Sequence, residues 1–89
     1  MKIKEISDYL ETIAPIQLQE SYDNSGFMVG NKDWNINNVL VCLDCTEDVV
    51  DEAISKSCNL IVTHHPIIFN GVKSLVGKNY VERTIIKAI

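Results

Sequence analysis

The sequence predicts an α/β fold organised around one parallel β-α-β unit, and two observations carry that prediction. Asn38 to Asp44 and Asn59 to Thr63 are short runs rich in branched apolar residues without polar alternation, the pattern of strands covered on both faces. The residues between them read as a helix. Thr46 is a suitable N-cap, and Glu47 and Asp48 sit in the first turn where the helix dipole favours acids. Val49, Val50, Ala53 and Ile54 form one apolar stripe, with Lys56 near the C-terminal end. A crossover long enough to hold a helix implies parallel strands, because a hairpin needs only a tight turn.

The flanking elements follow from the same periodicities. Ile3, Ile6, Leu10 and Ile13 recur at helical spacing and predict an amphipathic helix that ends before Pro15. Tyr22 to Gly26 is rich in turn residues and reads as a loop. Phe27-Met28-Val29, closed by Gly30, is expected to be a short strand. Asn31 to Asn38 is expected to be a turn or hairpin connection with Trp34 as its one large apolar residue. Pro66 to Gly77 is a loop whose Ile67, Ile68 and Phe69 need a cover. Asn79 and Glu82 match a capping pattern, and Val81, Ile85, Ala88 and Ile89 form the stripe of a last helix. That helix has no Gly, Pro or polar stop, so residues 1–89 are expected to be the N-terminal part of a larger domain.

Composition narrows the class. Eighty-nine residues suffice for one small domain, and an apolar share of 46% is that of a globular protein. The net charge of −4 and the absence of a basic run argue against nucleic acid as a partner. The N-terminus lacks a signal-peptide core, and no stretch is long enough to span a bilayer, so a cytoplasmic location is expected. Three cysteines without a secretion signal read as free thiols. Cys42 and Cys45 form a C-x-x-C, but Cys42 lies inside an apolar run and no second pair exists. They read first as packed thiols, with a redox pair or a mixed thiol–imidazole site as the alternative.

The chemistry is expected at Thr63-His64-His65-Pro66, where the only two histidines of the chain follow a buried strand. Neighbouring side chains of a strand point to opposite faces, but where the chain turns out at the strand end the two rings can splay around a cavity. Pro66 suits that place, since it holds His65 extended and cannot donate to a ladder. Each imidazole would then offer a nitrogen to a separate metal ion. The competing reading is two surface or hydrogen-bonded histidines at a strand end. Asp44 closes the first strand as the histidines close the second. It is a candidate acceptor for an imidazole N–H, or else a solvated strand-end residue. Asp23 and Asn24 read most simply as an Asx-turn feeding Gly26.

Three blocks in order give the chain a family resemblance. Glu20-Ser21-Tyr22-Asp23-Asn24-Ser25-Gly26-Phe27-Met28-Val29-Gly30 resembles the first signature of the Nif-three-like proteins, also known as GTP cyclohydrolase 1 type 2 homologues. Leu43 to Ala53 resembles their second block, and Asn59 to Phe69 their His-His-Pro block. Tyr22 and Phe27 stand where the family has Trp and Leu, which keeps an aromatic or apolar body at each place.

The resemblance implies a Rossmann-like layer and a toroidal hexamer. It implies that His64 and His65 each bind one of two divalent ions, with zinc, iron, manganese, cobalt and nickel all compatible with imidazole. Asp44, Asn24 and Asp23 are the candidates to support those ligands. The bridging Asp and the closing His and Glu of the family lie beyond this segment. The implied activity is metal-dependent hydrolysis of a small molecule such as a nucleotide, with opening of a purine imidazole ring as the family's reaction. A non-catalytic metal-stabilised scaffold and a dinuclear phosphoesterase are the alternatives. Asn70-Gly71-Val72-Lys73-Ser74 lacks the glycine and Gly-Lys-Ser contiguity of a P-loop, and no residue can be given a catalytic role from sequence.

Overall fold

The computed structural model describes residues 1–14, 25–68 and 71–89. Three helices and two strands follow in the order α1 (Ile3–Ile13), β1 (Val39–Cys42), α2 (Glu47–Ser55), β2 (Leu60–Thr63) and α3 (Tyr80–Ala88). β1 and β2 pair in parallel, with Val39 opposite Leu60 and Cys42 opposite Thr63. The β-α-β unit read from the sequence is therefore present, and the chain is α/β. Among the described residues no helix is long and apolar enough to cross a membrane.

α2 has defined stops at both ends. The Thr46 hydroxyl accepts from the Val49 N–H at 3.3 Å, satisfying one donor that the first turn leaves over. At the other end Cys58 N–H donates to Ala53 O at 2.8 Å and Ser57 N–H to Ile54 O at 3.1 Å. This pair of bonds is a Schellman closure, and it puts Ser57 in the left-handed region at φ 56°. The Ser57 carbonyl then accepts from Asn38 Nδ2 at 3.1 Å, so the helix end is tied to the entry of β1. Asn59 ties the entry of β2 to the same segment. Its Oδ1 accepts from Asn37 N–H at 2.8 Å, and its Nδ2 donates to Asn35 O at 2.6 Å.

α1 lacks a side-chain cap, and the chain compensates from a distance. Its first free N–H groups, on Ile3 and Lys4, donate to the carbonyls of Trp34 and Lys32, both at 2.9 Å. Lys2 and Asn35 form an antiparallel bridge beside them. The Asn31–Asn38 segment is thus a turn that caps a helix. Phe27 to Val29 is not a strand: the described neighbours offer it no ladder partner, and Gly30 turns the chain at φ 117° with the Phe27 ring against it. Tyr22 to Asn24 lie outside the described residues.

The core is small. Among the described residues Ile3, Val50, Ala53 and Ile85 are the buried apolar ones, and α2 packs on α3. The α2–α3 contact is reinforced by Arg83 to Glu47 at 2.7 Å and by Lys87 to Asp51 at 3.0 Å. Thr84, at 1% exposure, satisfies its hydroxyl by donating to Tyr80 O one turn back. The expectation that β1 is covered on both faces is corrected. Val41 is 74% exposed and Val39 and Leu43 share its face, because α2 covers only the opposite side of this two-stranded sheet. Ile54 and Ile89, counted in helical stripes, are also exposed at the edges of theirs.

Candidate metal centre at the strand ends

The parallel register brings the C-terminal ends of β1 and β2 together, and the backbone pairing continues two residues past the strands. His64 N–H donates to Cys42 O at 3.1 Å and His65 N–H to Leu43 O at 3.0 Å. Pro66 has no N–H to offer, so the pairing stops there. Thr63 Oγ1 lies 3.1 Å from both Leu43 O and His65 O, which pins the bend between the two strand ends.

That bend brings the two imidazoles to one place. Their ring centroids are 4.7 Å apart, with the planes inclined at 63°. Asp44 Oδ1 lies 2.7 Å from His65 Nδ1. A carboxylate can only accept, so Nδ1 carries the proton of this contact and Nε2 is the ring nitrogen left for a metal ion. This is the arrangement by which proteins commonly fix a metal-binding histidine. Both partners are about half exposed, at 49% and 60%, so the contact contributes at most about 1 kcal/mol to folding and acts chiefly on ring orientation.

His65 and Asp44 stand in the wall of a cleft of about 1000 Å³ that runs between the strand ends and the start of α3. Cys45 and Glu82 share this wall; the sequence reading brought Cys45 to it only through the alternative of a mixed thiol–imidazole site, and did not bring Glu82 there. Burial, followed by the neighbouring Cys42 thiol, pushes the Cys45 thiol up, so without a metal ion it stays protonated at neutral pH and is a poor nucleophile. Glu82, at 5% exposure, accepts from Val76 N–H, Lys78 N–H and Asn79 Nδ2. The capping pattern Asn79/Glu82 announced this carboxylate at a helix start. Its place beside the strand ends depends on how α3 packs, which no local pattern records.

The donor set fits divalent metal in part. Two imidazoles and an orienting carboxylate are assembled, but among the described residues no group of three or more His, Cys, Asp or Glu is arranged to hold one ion. A catalytic centre normally takes three protein ligands per ion. Asp23 and Asn24 lie outside the described residues.

A parallel sheet with adjacent histidines at its C-terminal edge defines an α/β protein with a strand-end site, the usual place for ligands in such sheets. The whole chain, residues 1–89, matches the family Duf34/NIF3 (NGG1p interacting factor 3), and the chain belongs to that family. It is 43% identical to a GTP cyclohydrolase 1 type 2 homolog of Clostridium acetobutylicum over its full length, covering 33% of that relative. Its fold matches the crystal structure of Staphylococcus aureus protein SA1388 with a TM-score of 0.90 at 43% identity, over 99% of this chain and 28% of that one. A Bacillus cereus protein related to NIF3 gives 0.88 at 35% identity, over 99% of this chain and 24% of that one. The chain spans about a third of the length of the clostridial relatives it matches.

Proposed function

We propose that this chain supplies His64 and His65 as ligands, one to each of two divalent ions, in a metal-dependent hydrolase of the GTP cyclohydrolase 1 type 2 homologue class. The observation that carries the reading is the 2.7 Å contact from Asp44 to His65 Nδ1, beside a His64 ring 4.7 Å away. An imidazole held through one nitrogen has the other free and aimed, which a merely solvated strand-end histidine does not need. The names of the relatives support the class. In this reading the segment is the front of a family-length protein, whose remaining length provides the other ligands and which assembles as a hexamer.

His64 and His65 would hold such ions, which would supply Lewis acidity for the hydrolysis. The chain's own part is positional. Thr63 and the paired backbone fix where the histidines leave the sheet, Asp44 sets the tautomer of His65, and the cleft receives the substrate. The test is GTP turnover by the family-length protein with and without EDTA. Metal-dependent turnover that His65→Ala removes supports the hydrolase. Full metal loading without turnover of any nucleotide favours the scaffold reading instead.

A further inference from the structure

Half of the cations among the described residues are committed to partners. Lys56 pairs with Glu52, Arg83 and Lys87 bridge to α2, and Lys32 lies over the Phe27 ring. Among the described residues Lys73 and Lys78 have no such partner, and both stand in the wall of the cleft that holds His65. The two carboxylates of that wall are engaged elsewhere. Asp44 is bonded to His65, and Glu82 is enclosed by two backbone N–H groups and the Asn79 amide. Neither forms an ion pair with either lysine. The N-terminus of α3 faces the same cleft, where Asn79 Oδ1 caps the Glu82 N–H, and Lys73 and Lys78 are the cationic side chains of that wall.

We propose that Lys73 and Lys78 form an anion subsite that takes the phosphate end of a small-molecule ligand whose other end lies at His65. Lysine suits this task, since each ammonium offers three donors on a long stem and phosphate oxygens only accept. A chain of net charge −4 repels polyanions at long range, so saturable phosphate binding requires a local cationic site such as this one. The proposal rests on the reading of this cleft as the reactive site, but its test is made without metal, so the two can fail separately.

The probe is inorganic pyrophosphate, titrated by calorimetry onto the family-length protein stripped of metal and dialysed free of chelator. The expected result is one saturable site, weakened about threefold by Lys73→Gln or Lys78→Gln and about tenfold by the double variant, the range that exposed ion pairs give. Lys4→Gln, an unpaired lysine on α1, serves as the control and should bind as the wild type does. GTP should follow pyrophosphate across the series, while guanosine should not respond to the lysines. Circular dichroism checks that each variant keeps its fold. Absence of a saturable site, an undiminished double variant, or an equal loss from Lys4→Gln would each overturn the subsite.

Discussion

Replacing Asp44 with Ala separates orientation from stability. Both members of the Asp44–His65 contact are about half exposed, so solvent screens the pair and its loss should cost folding at most about 1 kcal/mol. Metal affinity should respond more strongly. With no acceptor at Nδ1 the ring is free to rotate and to carry its proton on either nitrogen, and removal of such a partner typically costs about 10- to 100-fold in metal affinity. That is about 1.4 to 2.7 kcal/mol, more than the folding effect. Asp44→Asn keeps an acceptor oxygen and should lose less than Asp44→Ala. The assay is competition for zinc against a chromogenic chelator in the family-length protein, beside thermal melts in EDTA. An Asp44→Ala protein with affinity within twofold of wild type would refute the orienting role. A melting shift beyond the 1 kcal/mol scale would show that the contact is structural.

Three further outcomes follow from the same geometry. The 89-residue chain alone should bind zinc or manganese only weakly and should not turn over GTP, because two imidazoles leave each ion one protein ligand; submicromolar binding of two ions per chain by calorimetry would contradict this. Ser57→Gly should raise stability by about 0.5 kcal/mol, since relief of the left-handed backbone at φ 56° exceeds the added unfolded-state entropy of glycine; thermal melting measures it. The Arg83 hydrogen bond holds the Glu47 carboxyl below its ordinary value, so its stabilisation is complete above about pH 4.3 and is lost as the pH falls through the depressed value. The Asp51 hydrogen bond raises Lys87, so that contribution is complete below about pH 10.4 and is lost as the pH rises through the raised value. Melts of Glu47→Gln against wild type should therefore differ at pH 7 and converge in acid.

The elements with local punctuation were legible in the sequence. Thr46, Asn79 and the break before Pro15 mark helix ends through side-chain and backbone bonds made within a few residues. The β-α-β unit was legible because two unalternating apolar runs flank a helical stripe. Phe27 to Val29 was misread because apolarity alone does not make a strand without a partner ladder. The capping of α1 by Lys32 and Trp34 carbonyls was not visible, since backbone acceptors thirty residues away leave no residue signature. At the site, the place of His64 and His65 at a strand end followed from Pro66 and the preceding apolar run. Asp44 was a candidate acceptor from its own strand-end position, with strand register deciding that it meets His65, and the arrival of Lys73, Lys78 and Glu82 at the same cleft depended on helix packing.

Metal content per chain, measured by elemental analysis on the family-length protein and its single histidine variants, tests the central claim most directly. The account predicts two ions per chain in the wild type, with fewer but not zero in both His64→Ala and His65→Ala, because each ring serves a different ion. Two ions per chain retained by both variants would contradict it.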